Sequence, residues 1–314
     1  MQDRKTSELL DALRSEYRGI MLENEPLSNY TWMKVGGPAD IFLEPVDKKD
    51  LITAVRILRS FRYPYMMLGR GANMIVSDVG YRGAMINIES GMNSFSVQGG
   101  KVIAEAGVWI VKFVDLCIQN SLAGVEMLAG IPGTLGGGIT MNAGAFGGEI
   151  SDHIVSIEVL REGSVLNIAK ENAGFSYRHS GFANDIILSA TFELPKGDKE
   201  EISRKRREIL IKRNELQPLD LPNSGSMFKN PQGKFAAQLI DQRGLKGASK
   251  GAMQVSDKHA NFFVNRGGAS GKDVLNLLLH VREVVREKTG VILEPEVKLI
   301  GFQESDFQEI KEHV

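Results

Sequence analysis

A polar run at residues 223–231 carries side chains that could do chemistry on a single ligand. Ser226 offers a hydroxyl, Lys229 an ammonium and Asn230 an amide. The run has too few apolar residues to build a core, so its polar groups can serve to donate hydrogen bonds or a proton. Taken alone, however, Ser226 is typical of a turn.

Two other short polar runs add further groups of this kind. Residues 175–180 include Arg178, and residues 293–297 include Glu296. A guanidinium offers forked donors that match a carboxylate or phosphate. Taken alone, each of these two residues is typical of a solvated surface. The function therefore depends on whether the serine, the arginine and the glutamate meet.

A first glycine loop, residues 69–73, lies between two short apolar runs that predict strands. Glycine lets a turn adopt positive φ, and successive N–H groups in such a turn bind anions. The loop fails the dinucleotide-binding fingerprint, because Met74 stands at the third glycine position and no clear helix follows. Two interpretations stay open, an anion-binding nest and a plain hairpin loop.

A second segment, residues 129–148, contains eight glycines together with Ile, Leu, Met and Phe. Ordering so many glycines costs entropy, and flexible linkers of this richness carry serine rather than large apolar residues. The combination predicts a backbone that packs closely against a large flat ligand and its phosphates. The alternative is a tight crossing of the backbone inside a core.

Composition excludes several classes of protein. A formal net charge of -1 and a charged fraction of 25% give no reason to expect nucleic acid or an anionic membrane as a partner. Residues 1–18 are too polar for a signal peptide, and no apolar run approaches membrane-spanning length. The single cysteine, Cys117, excludes an internal disulfide, and its helical apolar surroundings predict burial. We therefore expect a soluble, cytoplasmic protein.

Two familiar kinds of site do not fit the sequence. Gly271-Lys272 is followed by Asp273, and Arg266 stands where a phosphate-binding P-loop needs glycine. The histidines are scattered without metal-ligand spacing, so no metal site is expected. They are His153, His179, His259, His280 and His313.

Helices and strands interleave irregularly, which favours α+β domains over a regular doubly wound sheet. Capping residues predict where two helices begin, at Asp47 and at a capping box of Ser270 and Asp273. The charged stretch 196–214 predicts a solvated helix that leads out of one domain. Further helices are predicted within 1–24, 111–118 and 235–242, and strands at 39–45, 65–68, 74–76, 261–265 and 297–300.

Six segments occur in the order seen in UDP-N-acetylenolpyruvoylglucosamine reductases, and the sequence resembles that family from about residue 24 to residue 301. Any one motif could arise by chance, whereas six in order are specific. Arg178 is followed within a few residues by the strand near Ile186. This leaves no room for a tyrosine-bearing insertion, so the chain resembles the shorter type. The segments are 31–40, 69–73, 130–148, 176–178, 225–231 and 295–297.

The resemblance implies a two-lobed FAD-binding unit of the vanillyl-alcohol-oxidase (PCMH) type and a C-terminal α+β substrate-binding domain. We place the lobes at residues 1–84 and 85–205 and the substrate domain at 206–314. No histidine occurs between Gly69 and Asp78, so FAD is expected to bind without a covalent bond. The implied FAD contacts are Arg70, Gly71, Ala72 and Asn73 with the pyrophosphate, and Gly133, Thr134, Gly136, Gly137, Asn142 and Gly144 with the isoalloxazine. Ala72 stands where serine is common in the family.

The implied reaction reduces the enolpyruvyl ether of a UDP-sugar, with electrons that NADPH delivers through the flavin. Arg178 would stabilise an enolate-like species, and Ser226 would give a proton to its carbon. Glu296 would be protonated or paired with a cation. Further implied substrate contacts are Tyr177, Lys229, Asn230 and His259. A monomer is expected.

Two rival interpretations stay open at this point. One is a sugar-nucleotide-binding protein that kept the fold and lost the chemistry, against which the intact set of Arg178, Ser226 and Glu296 argues. The other is a different FAD oxidoreductase of the same fold, which would have no use for residues 226–231.

Overall fold

The computed structural model of the protein describes residues 2–308, and the side chains of residues 6–307. Met1 and residues 309–314, with His313, lie outside the described residues. The helices are α1 (Gln2–Glu16), α2 (Lys48–Ser60), α3 (Ile110–Gln119), α4 (Leu135–Thr140), α5 (Lys199–Leu216), α6 (Ala236–Asp241), α7 (Gly271–Thr289) and α8 (Glu304–Gln308). The strands are β1 (Ile20–Pro26), β2 (Pro38–Glu44), β3 (Tyr65–Leu68), β4 (Met74–Val76), β5 (Tyr81–Asn87), β6 (Phe95–Gln98), β7 (Lys101–Glu105), β8 (Gly144–Ala145), β9 (Gly148–Glu149), β10 (Ile154–Arg161), β11 (Ser164–Ala169), β12 (Ile186–Glu193), β13 (Ser249–Lys250), β14 (Met253–Val255), β15 (Phe263–Asn265) and β16 (Lys298–Ile300).

The first of two compact units comprises the chain up to Glu23, Ile41–Arg70 and Gly83–Arg213. Its larger sheet is antiparallel, in the order β11-β10-β12-β7-β6. Most of a second sheet, in the order β1-β2-β5-β3, also belongs to it, and there β3 pairs with β5 in parallel. Helix α3 packs on the larger sheet, with the rings of Phe113 and Phe192 4.7 Å apart. One apolar core joins these elements.

Two features of this unit confirm expectations drawn from the sequence. Asp47 begins α2, and its side chain accepts a hydrogen bond from the Asp50 backbone N–H at 2.8 Å. Cys117 is fully buried on the apolar face of α3, where burial raises the pKa of its thiol to about 12. A thiol of this kind stays protonated near neutral pH and is a core residue rather than a nucleophile.

The second unit comprises Asn24–Asp40, Gly71–Arg82 and the chain from Asn214 onward. In it β16 pairs with β4 in parallel, with Leu299 opposite Ile75, and β13, β14 and β15 form an antiparallel sheet. Helix α7 lies over a separate apolar core. Its predicted capping box of Ser270 and Asp273 is confirmed. The carboxylate of Asp78 also accepts the N–H groups of Gly271 and Lys272, at 2.7 and 3.0 Å.

The α+β fold class predicted from the sequence is confirmed, while two local details differ. No helix was predicted within residues 129–148, but the centre of this segment forms α4, whose first turn is capped by the Thr134 side chain. The loop after β3 is not a hairpin, since β3 and β4 belong to different sheets. The predicted boundaries at 84/85 and 205/206 stay predictions.

No helix in residues 2–308 is long and apolar enough to cross a membrane. Within the described side chains, no group of His, Cys, Asp and Glu is arranged to hold a metal ion.

Candidate active site

Three consecutive glycines of α4 differ in what surrounds them. A Cβ on buried Gly136 would lie 3.0 Å from Ala106, and one on buried Gly138 would lie 2.8 Å from the end of Ile110. Gly137 between them is exposed, and a Cβ there would meet only Thr134 Oγ1, at 3.7 Å. Close packing in the core therefore explains Gly136 and Gly138, whereas Gly137 presents open backbone that a ligand can approach.

The first glycine loop reaches this helix through Gly69. A Cβ on Gly69 would lie 2.4 Å from Thr134 Oγ1, so only glycine fits at this position. Arg70 follows it, with its guanidinium 3.5 Å from the centre of the Trp109 ring and Nη1 2.9 Å from Glu89 Oε1. The first unit thus joins Arg70, from the implied pyrophosphate loop, to the start of α4.

Asn142, just after α4, carries an unsatisfied acceptor. Its side chain is fully buried, and Nδ2 donates to Glu149 Oε2 at 2.6 Å and to the Ser176 carbonyl at 3.1 Å. Its Oδ1 has no hydrogen-bond partner among the described residues. Because an unpaired buried carbonyl is costly, this oxygen is suited to accept an N–H from a bound ligand.

Arg178 lies on a tight turn that is docked onto the same segment. Ser176 and His179 exchange backbone hydrogen bonds across the turn, and Ser180 Oγ donates to the Thr140 carbonyl at 2.9 Å. Arg178 Nη2 donates to the Gly144 carbonyl at 2.9 Å, and its guanidinium carbon lies 5.0 Å from the centre of the Tyr177 ring. The guanidinium is therefore held by one hydrogen bond to the glycine-rich segment, at Gly144, and by the neighbouring ring of Tyr177.

Three non-glycine residues of this region have a left-handed backbone conformation. Asn142, Phe146 and Arg178 have φ values of 42°, 52° and 56°, in the left-handed region that disfavours most L-residues. Such conformations persist where surrounding contacts enforce them, and they are concentrated at functional sites.

In the second unit, the serine run lies between two other segments. Ser226 bridges Phe262, and the next residue, Met227, donates its N–H to the Asn261 carbonyl at 2.8 Å. On the other side the Met227 carbonyl accepts the N–H of Glu296 at 2.8 Å. The backbone of Glu296 is thus hydrogen-bonded to Met227, the residue that follows Ser226.

Asn73, from the first glycine loop, belongs to this same group. Its Nδ2 donates to the Glu296 carbonyl at 3.2 Å, and its own carbonyl accepts the N–H of Lys298 at 2.9 Å. In the same loop, the Gly71 carbonyl accepts the N–H of Trp32, and Ala72 is half-buried. Within the second unit, Asn73 is thus bonded directly to Glu296, whose N–H in turn donates to the residue after Ser226.

The predicted substrate contacts of this unit have partners of their own. Lys229 Nζ lies 2.6 Å from Glu294 Oε1, and Asn230 Oδ1 accepts the N–H of Ala236 at 3.0 Å, which leaves the Asn230 amide group to donate. His259 packs edge-on against Phe262. Burial lowers the pKa of His259, and its Nδ1 accepts the Asn261 N–H, so the neutral ring carries its proton on Nε2.

Sequence reasoning missed four side chains that complete these groups. Arg213 was assigned to a solvated helix, yet it is buried beside Gly130, its Nε has no partner in the described part of the chain, and burial lowers its pKa to about 10. Its spacing of three turns from Ile202, on the buried face of α5, is the signal that could have found it. The others are Glu89, Trp109 and Asn261, for which single-residue patterns give no signal.

Arg178 belongs to the first unit, and Ser226 and Glu296 belong to the second. Their meeting with one ligand stays a prediction.

Relatives of known name match almost the entire chain. A protein named UDP-N-acetylenolpyruvoylglucosamine reductase, from Caldanaerobacter subterraneus, is 42% identical over 297 residues, which cover 93% of this chain and 98% of that protein. The chain belongs to the UDP-N-acetylenolpyruvoylglucosamine reductase family. A reductase of the same name from Exiguobacterium sibiricum is 43% identical over 303 residues, or 94% of this chain and 98% of its own.

Family models and a solved structure agree with this reductase family assignment. The model for the C-terminal domain of UDP-N-acetylenolpyruvoylglucosamine reductase matches residues 217–300, and an FAD binding domain model matches residues 39–169. The crystal structure of the Thermus caldophilus reductase superposes with a TM-score of 0.79 at 33% identity, covering 90% of this chain and 99% of that one. The FAD-binding fold of the reductase family is thereby established for this chain.

The residues of the first unit fit a bound flavin. Gly137 offers open backbone against which a flat ring can lie. Asn142 offers an unpaired acceptor, Oδ1, and Arg70 offers a cation for an anionic group. A flavin ring system presents a flat face and an N–H donor, and FAD carries a diphosphate. All three residues lie within the segment that the FAD binding domain model matches, so they could hold the cofactor.

Proposed function

We propose that this protein reduces UDP-N-acetylenolpyruvoylglucosamine to UDP-N-acetylmuramate, a precursor of peptidoglycan, with NADPH as the source of electrons. The alignment with reductases of this name over more than nine-tenths of the chain carries the proposal. When bound, FAD would supply the hydride chemistry between NADPH and the terminal carbon of the enolpyruvyl group. We expect the reaction to take place in the cytoplasm, where NADPH and UDP-sugars are made, and we expect the enzyme to act as a monomer.

Arg178 is the group proposed to meet the negative charge that develops on the substrate carboxylate. A guanidinium offers several forked N–H donors, and the hydrogen bond to the Gly144 carbonyl uses Nη2. Preorganised donors stabilise developing charge because they do not have to reorient during the reaction. The turn between Ser176 and His179 supplies that preorganisation.

Ser226 is proposed to give its proton to the carboxylate-bearing carbon of the substrate, which becomes the new stereocentre. A serine hydroxyl is a weak acid, but an enolate carbon is basic enough to take its proton at hydrogen-bonding distance. Main-chain pairing with Phe262 fixes the position of the residue. Glu296, tied to Met227, is proposed to stand beside the same group.

Lys229 and Asn230 are proposed to position the anionic parts of the substrate. The ion pair of Lys229 with exposed Glu294 is short, but surface pairs of this kind contribute little and can be exchanged for a ligand phosphate. His259, neutral and with a proton on Nε2, can donate to a sugar or diphosphate oxygen.

An anaerobic titration tests the proposed reaction. Addition of NADPH to the purified yellow holoenzyme should bleach the flavin absorbance, and addition of the enolpyruvyl UDP-sugar should restore it. A flavin that NADPH reduces but this substrate does not reoxidise would contradict the proposal and point to another FAD oxidoreductase. A protein that binds the UDP-sugar without flavin turnover would be the inactive binding protein.

Replacing Gly137 with alanine should change stability and flavin affinity in opposite directions. Alanine favours a helix interior by about 1 kcal/mol over glycine, and the added methyl has room in the empty protein. Urea unfolding of the apoprotein should therefore show an equal or higher free energy. If the flavin packs on this backbone, the methyl overpacks the contact and FAD affinity should fall about tenfold or more. An unchanged dissociation constant would show that the ligand does not approach Gly137.

A further inference from the structure

Arg70 is held between two side chains that no proposed step of the reaction uses. Its guanidinium covers the indole of Trp109 at 3.5 Å from the ring centre, and its Nη1 donates to Glu89 Oε1 at 2.9 Å. Trp109 is 42% exposed, although tryptophan is on average a largely buried residue. The exposure of Trp109, with the Arg70 guanidinium stacked on its ring, is not explained by packing in a core.

Both partners of Arg70 are anchored to the glycine segments. The N–H of Glu89 donates to Asn87 Oδ1, and Asn87 Nδ2 donates to the Gly69 carbonyl. Trp109 bridges Thr134, the residue that caps α4, through its backbone. Glu89 is therefore linked to Gly69, at the start of the first glycine loop, and Trp109 is linked to Thr134, within the second glycine-rich segment. The guanidinium of Arg70 lies between Glu89 and Trp109.

We propose that Trp109 and Glu89 are positioning residues, which hold the Arg70 guanidinium in place to bind the diphosphate of FAD. This inference rests on the proposed function. A free arginine side chain has many rotamers, and ordering it on binding costs entropy. The flat indole face and the single carboxylate contact order it beforehand, while the remaining N–H donors of the guanidinium can bind phosphate oxygens.

Glu89 also limits the charge of the site. A lone cation on a partly buried loop would attract any anion, whereas the pair of Glu89 and Arg70 leaves the loop close to neutral before the ligand arrives. The side chains of Arg70 and Glu89 are 25% and 29% exposed, so the pair is only partly screened by water. The indole does not compete with phosphate for N–H donors, because it holds the guanidinium through its face.

The test is the affinity of the apoprotein for FAD, measured by quenching of flavin fluorescence. Trp109→Ala should weaken binding about 2- to 30-fold, the range that corresponds to a cation–π contact between exposed and desolvated sites. Trp109→Phe keeps a flat aromatic face and should bind nearly as the wild type does. Trp109→Leu, which keeps an apolar side chain without a π face, should resemble Trp109→Ala.

A double-mutant cycle distinguishes positioning from direct contact. In the Arg70→Ala background, Trp109→Ala should cause no further loss, because the indole acts through the guanidinium. Each single variant should also flatten the dependence of FAD affinity on salt concentration. A merely structural role for Trp109 would leave that salt dependence unchanged and would lower the urea stability of the apoprotein.

Three results would overturn the inference. Losses that add in the double variant would mean that the indole acts independently of Arg70. An unchanged FAD affinity in Trp109→Ala, or a Trp109→Phe variant as weak as Trp109→Ala, would remove the stacking role. A wild-type protein that binds no FAD would instead refute the proposed function. The FAD affinity of the wild-type protein therefore distinguishes a failure of the proposed function from a failure of this inference.

Discussion

Replacing Ser226 with alanine is expected to slow reoxidation of the reduced flavin by the enolpyruvyl UDP-sugar by about 10²–10⁴-fold, the usual contribution of a general acid. Reduction of the flavin by NADPH should stay near the wild-type rate, since that step needs no proton from the serine. The contacts that hold residue 226 are made by the backbone, so the variant should fold normally. Stopped-flow absorbance under anaerobic conditions measures the two half-reactions separately.

Ser224 provides a matched control for the serine variant. It lies two residues away, its hydroxyl is buried, and that hydroxyl has no hydrogen-bond partner among the described residues. Ser224→Ala should therefore leave both half-reactions and the stability nearly unchanged. If Ser226→Ala slowed both half-reactions equally, the proton-donor role would be refuted, and the serine would be a residue that shapes the site.

Replacing Arg178 with alanine is expected to slow reoxidation by substrate about 10²–10³-fold, the cost of removing one donor to a developing negative charge. Arg178→Lys should recover only part of the loss. An ammonium cannot keep the hydrogen bond to the Gly144 carbonyl and also present a forked pair of donors to a carboxylate. Reoxidation rates at saturating substrate, measured in single turnovers, give the effect on the chemical step.

Arg161 offers the control for this pair of variants. It lies in the same unit, is exposed, and forms a two-point ion pair with Asp185. Arg161→Lys should have no effect on either half-reaction, because Arg161 pairs with the buried carboxylate of Asp185 and with no residue of the candidate site. An Arg178→Lys enzyme that reoxidises as fast as wild type would show that charge alone, and not the geometry of the guanidinium, matters at this position.

The sequence predicted those parts of the fold that depend on neighbours along the chain. Asp47 and the Ser270–Asp273 pair marked helix starts because capping is a contact across three residues. The apolar period around Cys117 predicted its burial for the same reason. The pairing of β4 with β16 joins residues more than two hundred positions apart, and no local pattern encodes such a partner.

The candidate site follows the same division. Ser226, Arg178 and Glu296 were predicted because each stands in a motif, and Gly137 because it lies in a conspicuous glycine run. The stack of Trp109 on Arg70 was not predicted, since it depends on how the turn before α3 meets the loop after β3. Arg213 was misjudged because the charge of α5 as a whole outweighed the position of one residue on its buried face.

The second compact unit is assembled from stretches that are far apart in the chain, and this constrains how the protein can be made or divided. A fragment that begins at residue 214 would lack β4, the partner of β16, and Asp78, which caps α7. Strand β16 and the start of α7 must therefore be synthesised before β4 and Asp78 can pair with them, so this unit closes only through contacts between residues far apart in the sequence. Recombination between relatives would likewise have to exchange residues 24–40 and 71–82 together with the last third of the chain.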